Sequence, residues 1–368
     1  MKVLHVFNEI NFSGAELMYS QAAPLFKENN IDIYAISTGN LIGNFSNEMQ
    51  DSGYKLDHIK ISRFDLLSYI KLYTYIRDNK FDVVHVHRQD YHFIICFFAW
   101  LNGCRIVKTI HNVFRSDKRV YRWFNRLERM LVKNIFHTTY QSISPSVRDN
   151  EYEAHSLDTA LVNNWIDLST FISDDIEKRK TRKEIRGELG ISDSDIVLLT
   201  VGRCTDVKNH SDVIKSLPLL ISSGFNVSYI HIGCGYCEES ERELAKQLNI
   251  SSNCYFIGVT NEVNKYFHAS DYHIVPSKFE GLGIVALESM AAKIPNILYN
   301  SPGLRDLIVN NNNGQLIEHG ANHIVNAIKK FENDQGYKKR CISNAYGFVF
   351  DNYDIKKVVP KIVELYHS

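Results

Sequence analysis

The sequence predicts an α/β protein with two parallel-sheet domains, and three observations carry that expectation. Short apolar runs alternate with amphipathic stretches, the alternation restarts in the second half, and 368 residues suit two domains of about 150–200 residues. In the first half, Val3–Phe7 reads as a strand. Glu16–Lys27 follows as a helix, with Leu17, Tyr19, Ala22 and Phe26 broadly on one side. Ile31–Ile36, Phe81–His87 and Arg105–Ile110 are further strands. Strands separated by helices pair in parallel, with helices on both faces of the sheet, and ligands bind beyond the carboxyl ends of such strands. The second half repeats the rhythm with strands Ile196–Val201, Val227–Ile232, Cys254–Ile257, His273–Val275 and Ile297–Tyr299. Helices Ser211–Ser222, Glu239–Leu248, Val263–His268 and Gly283–Ala292 lie between them. Residues Ser173–Lys183 are highly charged and read as a solvated linker running into a helix, so the boundary is expected within Ile172–Gly190. Two such domains in sequence predict a cleft, a preferred place for ligands. Asp354–Tyr366 reads as a last helix with Val358, Ile362 and Leu365 apolar, and Pro360 is expected to kink or restart it.

Composition removes several function classes. Lysine plus arginine and aspartate plus glutamate both number 42, which argues against a general nucleic-acid coat. The chain is 44% hydrophobic and 23% charged, values of a globular protein rather than a disordered or collagenous one. Seven scattered cysteines read as reduced intracellular thiols. The opening MKVLHVFNEI is a strand pattern rather than a signal peptide, and the longest apolar run, Phe93–Leu101, has nine residues where a membrane span needs about 20. A cytoplasmic location is therefore expected, with contact at the inner membrane face left open.

Five segments offer chemistry. In PSKFEGLGIVALE (276–288) a strand ends, a glycine-containing loop follows, and a helix begins near Gly283. Backbone N–H groups of that loop and helix start favour an anionic or hydroxyl-rich ligand, unless the glycines only make a turn. Glu280 in the loop and Glu288 in the helix can accept hydrogen bonds from separate hydroxyls of one ligand; equally, Glu288 can be a plain surface residue. In VGRCTDVKN (201–209), Gly202 allows a tight turn, and Arg203 and Lys208 at a strand end suit a diphosphate, although charged surface loops are common. Asn11–Glu16 forms a strand–loop–helix junction around Gly14, for which a helix start capped by Ser13 is the plainer explanation. His111 stands at a strand end, whereas His5, His85 and His87 read as packed structural groups. Finally, Arg115, Arg119, Arg122, Arg126, Arg129 and Lys133 recur at helical spacing, opposite Val120, Trp123, Phe124, Leu127, Met130 and Leu131. This basic amphipathic helix suits an anionic membrane surface or a phosphate-bearing partner, or else a solvated helix face packed on the sheet below. The lone pair Cys234 and Cys237 is a poor zinc signal, and Asp193 and Asp195 read as a turn entering a strand.

Taken together, these segments resemble the retaining GT-B glycosyltransferases of family 4 over nearly the whole chain. The strongest element is Glu280-x7-Glu288, joined by VGRCTDVKN, SGAE, KTIHN, Ser144-Pro145-Ser146, Asn164–Asp167 and Asn313-Gly314. The resemblance implies a GT-B fold of two Rossmann-like domains facing a central cleft. Residues 1–170 would bind the acceptor, 171–350 the nucleotide sugar, and 351–368 would return to the first domain. It implies that Arg203 and Lys208 bind and stabilise the departing diphosphate, with Gly202 beside them. Glu288 would hold the ribose hydroxyls and Glu280 the transferred sugar, while the N–H groups of Gly281, Leu282 and Gly283 meet sugar or phosphate. His111 would touch a sugar hydroxyl from the facing domain, and Gly14 would lie near the phosphates and acceptor. No metal and no cofactor are implied; the donor is a nucleotide sugar such as a UDP- or GDP-sugar. The acceptor would be a polysaccharide or a lipid-linked saccharide of bacterial-type surface glycan synthesis. Departures at Ser13-Gly14, Lys293-Ile294-Pro295 and Ser301-Pro302-Gly303 bear on sugar and acceptor choice rather than on reaction class. The alternatives are a sugar-nucleotide epimerase of the same architecture and an inactive glycan- or nucleotide-binding subunit. Glu280-x7-Glu288 speaks against the first, and the presence of Arg203, Lys208 and Glu288 against the second.

Overall fold

In the computed structural model, residues 1–112, 119–171 and 174–368 are described, without the side chains of 119–122. Two compact units emerge, one of Met1–Trp165 with Ile355–Ser368 and one of Ile166–Asp354. The chain thus leaves the first unit once and comes back, a few residues from the divisions expected at 170 and 350. Of the expected boundary stretch, Ile172 and Ser173 lie outside the described residues.

The first unit is a parallel sheet of seven strands. These are β1 (Lys2–Phe7), β2 (Asp32–Ser37), β3 (Lys55–His58), β4 (Val83–Val86), β5 (Arg105–Ile110), β6 (Thr139–Ser142) and β7 (Ala160–Leu161). Their order is β3-β2-β1-β4-β5-β6-β7. The connecting helices are α1 (Gly14–Glu28), α2 (Ser46–Asp51), α3 (Leu66–Asn79), α4 (His92–Leu101), α5 (Arg119–Asn134) and α6 (Pro145–His155). Helices on both faces bury the strands on both sides, which is why Val83–Val86 is buried at every position rather than alternately. The register pairs His5 with His85 across β1 and β4, so these two rings share one face of the sheet.

The second unit begins with α7 (Asp175–Leu189). It continues through β8 (Ile196–Val201), α8 (Ser211–Ser222), β9 (Val227–Ile232), α9 (Glu238–Gln247), β10 (Cys254–Gly258), α10 (Val263–Ala269) and β11 (Tyr272–Val275). It ends with α11 (Ile284–Ala291), β12 (Asn296–Tyr299), β13 (Gln315–Ile317), α12 (Ala321–Asn333) and α13 (Gln335–Asn352). The sheet is again parallel, in the order β10-β9-β8-β11-β12-β13. Ile191, Val197, Leu199, Ile230, Ile232 and Phe267 form part of its core. A last helix, α14 (Ile355–His367), packs on α1 and β5 of the first unit. There Tyr366 Oη lies 2.7 Å from His85 Nδ1, and Arg105 donates to the Tyr366 carbonyl at 2.7 Å.

Four expectations are corrected. The charged stretch read as a linker is helix α7, capped by Asp174, whose carboxylate accepts from the Glu177 N–H at 2.7 Å. Two of its cations, Arg182 and Arg186, turn inward and reach the two carboxylate oxygens of Asp271 at 2.7 Å each. Arg186 also takes the carbonyls of Ser192 and Asp195, which makes the segment carrying Asp193 and Asp195 a fastened turn before β8. The basic face of α5 is not uniformly outward. Arg129 is 4% exposed and pairs with the buried Glu151 of α6 at 2.9 Å, while Lys133 donates to the Asp158 carbonyl at 2.9 Å. Arg126 stays exposed, whereas Arg115 and the side chains of Arg119 and Arg122 lie outside the described residues. The burial of Arg129 turns Trp123, Phe124, Leu127 and Met130 to the surface. Ser13 occupies the N-cap position of α1, but its hydroxyl donates to the Glu16 carboxylate instead of accepting from a backbone N–H. Finally, α14 is one helix through Pro360, so the proline does not mark a restart; it lies on the exposed side of the helix. Among the described residues, no helix is long and apolar enough to cross a membrane.

Candidate active site

In each sheet the strand order reverses direction once: between β1 and β4 in the first unit, between β8 and β11 in the second. Loops leaving the two strands on either side of such a point diverge and open a crevice at the carboxyl ends. In the second unit those loops are the two singled out in the sequence. Gly202–Lys208 follows β8, and Pro276–Gly283 follows β11.

The two loops are fastened to each other. The Lys278 N–H donates to the Val207 carbonyl at 2.8 Å, and Lys208 Nζ reaches Glu280 Oε1 at 2.5 Å. Both side chains are half-buried, at 25% and 15% exposure, so this ion pair is partly shielded from water. Gly202 lies directly beneath the lysine: a Cβ there would touch the Lys208 side chain at 3.6 Å. Arg203 is exposed and, among the described residues, holds no ion-pair partner. One cation is therefore held in place and a second is open to solvent, both on one strand-end loop.

Helix α11 starts at Gly283, whose φ of 81° is a left-handed conformation natural to glycine. A Cβ at Gly283 would meet the Leu304 side chain at 2.6 Å. Gly281, Leu282 and Gly283 are all buried, Leu282 at 2% exposure, so the loop N–H groups expected to meet a ligand are covered in this structure. Glu280 is set from behind by the turn that departs from the family pattern. Its N–H donates to the Pro302 carbonyl at 3.0 Å, and a Cβ at Gly303 would stand 2.4 Å from the Glu280 carbonyl oxygen. The substitution in Ser301-Pro302-Gly303 therefore retains the one glycine that this close approach requires. Glu288 lies in the second turn of α11, half-buried, with no side-chain hydrogen bond or ion pair among the described residues. Loss of solvation alone pushes its carboxyl up to about 7.

The first unit holds the other two candidates. Gly14 is the exposed first residue of α1, beyond β1. His111 directly follows β5 and is the end of a chain of imidazoles. His111 Nε2 is 3.2 Å from His87 Nδ1, and His87 Nε2 is 3.0 Å from His5 Nδ1. Burial, with the Lys108 charge second, pushes His111 down to about 3, so its ring is neutral at physiological pH. His87 was read from the sequence as a packed or hydrogen-bonded structural group, and its contact with His111 fits that reading. Lys108 was passed over: it is 2% exposed, donates to the Arg88 carbonyl at 2.7 Å, and is pushed down to about 7 by burial. The signal was available, since a lysine inside the apolar run of β5 has to find a partner in the interior.

Two doubly wound domains joined in this way are the architecture of GT-B glycosyltransferases, and solved structures agree on the fold. The crystal structure of HepE from Anabaena in complex with UDP superposes with a TM-score of 0.84 at 16% identity, covering 99% of each chain. The chain belongs to the glycosyl transferases group 1 family, whose model matches residues 181–365, while the model for glycosyltransferase family 4 matches residues 47–169. It is 24% identical over 300 residues to an uncharacterized glycosyltransferase of Methanocaldococcus jannaschii, covering 78% of this chain and 75% of that one. It is also 24% identical over 313 residues to the UDP-Gal:alpha-D-GlcNAc-diphosphoundecaprenol alpha-1,3-galactosyltransferase of Escherichia coli, covering 82% of this chain and 79% of that one.

Proposed function

We propose that this glycosyltransferase moves a sugar, with retention at the anomeric carbon, from a nucleotide-diphosphate sugar to a polysaccharide or lipid-linked saccharide acceptor. The observation that carries this reading is the pairing of Lys208 with Glu280 across the two loops at the switch point. A diphosphate arriving there meets Lys208 and Arg203, which neutralise the charge that grows on it as the glycosidic bond breaks. Glu280 is released toward the hydroxyls of the sugar, Glu288 accepts from the ribose, and the loop N–H groups of Gly281–Gly283 complete the cradle. His111 acts as a neutral hydrogen-bonding partner of a sugar hydroxyl. The leaving phosphate takes the acceptor's proton, so no protein base and no divalent ion are assigned.

A panel of UDP, GDP and ADP with their sugar conjugates, read by thermal stability, tests the donor class. At about 100 times its Kd a ligand adds about 2.7 kcal/mol. One nucleotide series is expected to stabilise the protein equally with and without Mg2+, and Glu288→Ala is expected to abolish the shift; no shift with any series would overturn the donor site. Affinity for that nucleotide is also expected to rise with pH up to about 7, because the ionised Glu288 accepts from hydroxyls more strongly than the protonated carboxyl. Without donor the sign reverses. A carboxyl whose pKa is raised on folding binds more protons folded than unfolded, so its contribution falls as pH climbs from about 4.5 to about 7. Glu288→Gln is expected to flatten both dependences.

We further propose that the acceptor lies at an anionic membrane face, which would make this a peripheral cytoplasmic enzyme. Support comes from α5, where Trp123 and Phe124 are 60% and 59% exposed beside the exposed Arg126. Aromatic side chains next to a cation suit the lipid headgroup boundary. Co-sedimentation with phosphatidylglycerol vesicles is expected for the unaltered chain and to be lost in Trp123→Ser/Phe124→Ser. Equal sedimentation of both proteins would remove this surface from the reading.

A further inference from the structure

Among the described residues, two groups of side chains bring potential metal-ligating atoms within 4.8 Å of one another: His5, His85 and His87 in the first unit, and Cys204, His231 and Glu241 in the second. The first group offers three neutral rings. Their nitrogens are already largely engaged, His85 with Tyr366 and Thr109, and His5 with His87. It has no anionic ligand, so a bound dication would remain an uncompensated buried charge. The second group differs in supplying a thiol and a carboxyl, which can both become anionic ligands.

Cys204 stands one residue beyond Arg203, His231 is on β9 and Glu241 is in α9. All three are buried, at 0%, 0% and 4% exposure. Cys204 Sγ lies 3.1 Å from His231 Nε2 and also meets the Glu241 carboxyl. The other histidine nitrogen, Nδ1, is held by Thr200 Oγ1 at 2.9 Å, which turns Nε2 toward the sulfur. Metal-ligating histidines are typically oriented in this way by a partner on the second nitrogen. Glu241 Oε2 has no hydrogen-bond partner although it is buried. An unmatched oxygen in the interior is costly; burial pushes the Glu241 carboxyl up to about 7, and a cation can take the place of the proton held there.

We propose that Cys204, His231 and Glu241 bind one Zn2+ ion, separate from the donor site, and so tie the Arg203–Lys208 segment to β9 and α9. A thiolate, an imidazole and a carboxylate match the ligand preferences of zinc, and their two negative charges neutralise the ion in a dry setting. Three protein ligands leave a fourth position for water. Binding releases to the buffer the thiol proton and, where Glu241 is protonated, its carboxyl proton as well, and changes no oxidation state. The exposed Cys234 and half-buried Cys237 flank the loop above: Cys204 N–H donates to the Cys234 carbonyl at 3.1 Å, and Cys237 N–H to the Cys204 carbonyl at 3.1 Å. They provide the competing explanation for any thiol-dependent metal binding.

The full chain, stripped with a chelator and desalted, would be titrated with Co2+ as a spectroscopic probe and then with Zn2+. We expect one equivalent of Co2+ with a near-ultraviolet sulfur-to-cobalt charge-transfer band, displaced by one equivalent of Zn2+. The band is expected to persist in Cys234→Ala/Cys237→Ala and to vanish in Cys204→Ala. Glu241→Gln is expected to weaken binding at least about tenfold, within the range seen for disturbed metal sites. The unaltered chain is itself decisive, so a folding defect in Cys204→Ala would not rescue the idea. Absence of the band in the unaltered chain, or its loss in the Cys234/Cys237 variant, overturns the proposal.

Discussion

Replacing Lys208 by alanine is expected to lower the transfer rate by about 10²–10³-fold, the usual consequence of removing one group that stabilises developing negative charge. The reason lies in the loop geometry. Lys208 is paired with Glu280 at 2.5 Å, which keeps the ammonium at the strand-end loops until a donor diphosphate takes over that pairing and Glu280 turns to the sugar. The lysine side chain covers Gly202 and its N–H bonds to the Thr205 carbonyl, so the loop backbone does not depend on the ammonium. The variant should therefore melt close to the unaltered chain while turnover collapses. Lys208→Arg is expected to recover only part of the rate, because the wider guanidinium cannot reproduce a point charge at that distance from Glu280. Steady-state transfer together with the melting temperature checks this. Turnover near that of the unaltered chain in Lys208→Ala would take the residue out of the mechanism.

The largest effect on stability is expected at Arg129. Its guanidinium and the Glu151 carboxylate are 4% and 1% exposed and lie 2.9 Å apart. Burial raises the Glu151 carboxyl, and the arginine counteracts that rise. Arg129→Ala leaves the carboxyl without its cation in the interior, a change that typically costs about 3–5 kcal/mol. For a unit of this size, that is on the order of a 10 °C fall in melting temperature. Removing both charges together, as Arg129→Met/Glu151→Leu, is expected to restore most of the loss, since the desolvation of the pair disappears with the attraction. The exposed Arg126, one turn away, should move stability by no more than about 0.5 kcal/mol when truncated. Thermal denaturation of the three variants decides it: equal effects at Arg126 and Arg129 would contradict the burial described.

The same arginine shows where sequence reasoning reached its limit. Periodicity reveals that α5 has a basic stripe and an apolar stripe, but not which one faces inward. That choice was made by Glu151, 22 residues further along, and a helical period carries no information about a partner on another helix. Strand β6, Thr-Tyr-Gln-Ser, was passed over for a related reason. It looks polar, yet Tyr140, Gln141 and Ser142 are buried, with Gln141 accepting from Thr109 and donating to the Val162 carbonyl. Strand β3 is mostly exposed at the edge of its sheet and carries little apolar signal. The inner strands β1, β4, β8 and β9 were legible because they are buried on both faces and read as apolar runs. The site was legible for a topological reason. Arg203, Lys208 and Glu280 lie just past strand ends, and a parallel sheet gathers strand ends whatever its register. The ion pair between Lys208 and Glu280 was not legible, because it depends on side chains 72 residues apart meeting across two loops.

Helix α14 has a consequence for how the protein is made. The first unit requires residues 355–368, which cover α1 and β5 and bring Tyr366 to His85, so its last structural piece follows the entire second unit in the chain. During synthesis the amino-terminal half emerges first but stays incomplete, whereas Ile166–Asp354 can close its own sheet before the ribosome reaches the end. The half begun first is therefore the half finished last. For that interval the face of α1 that later meets α14 lacks its cover.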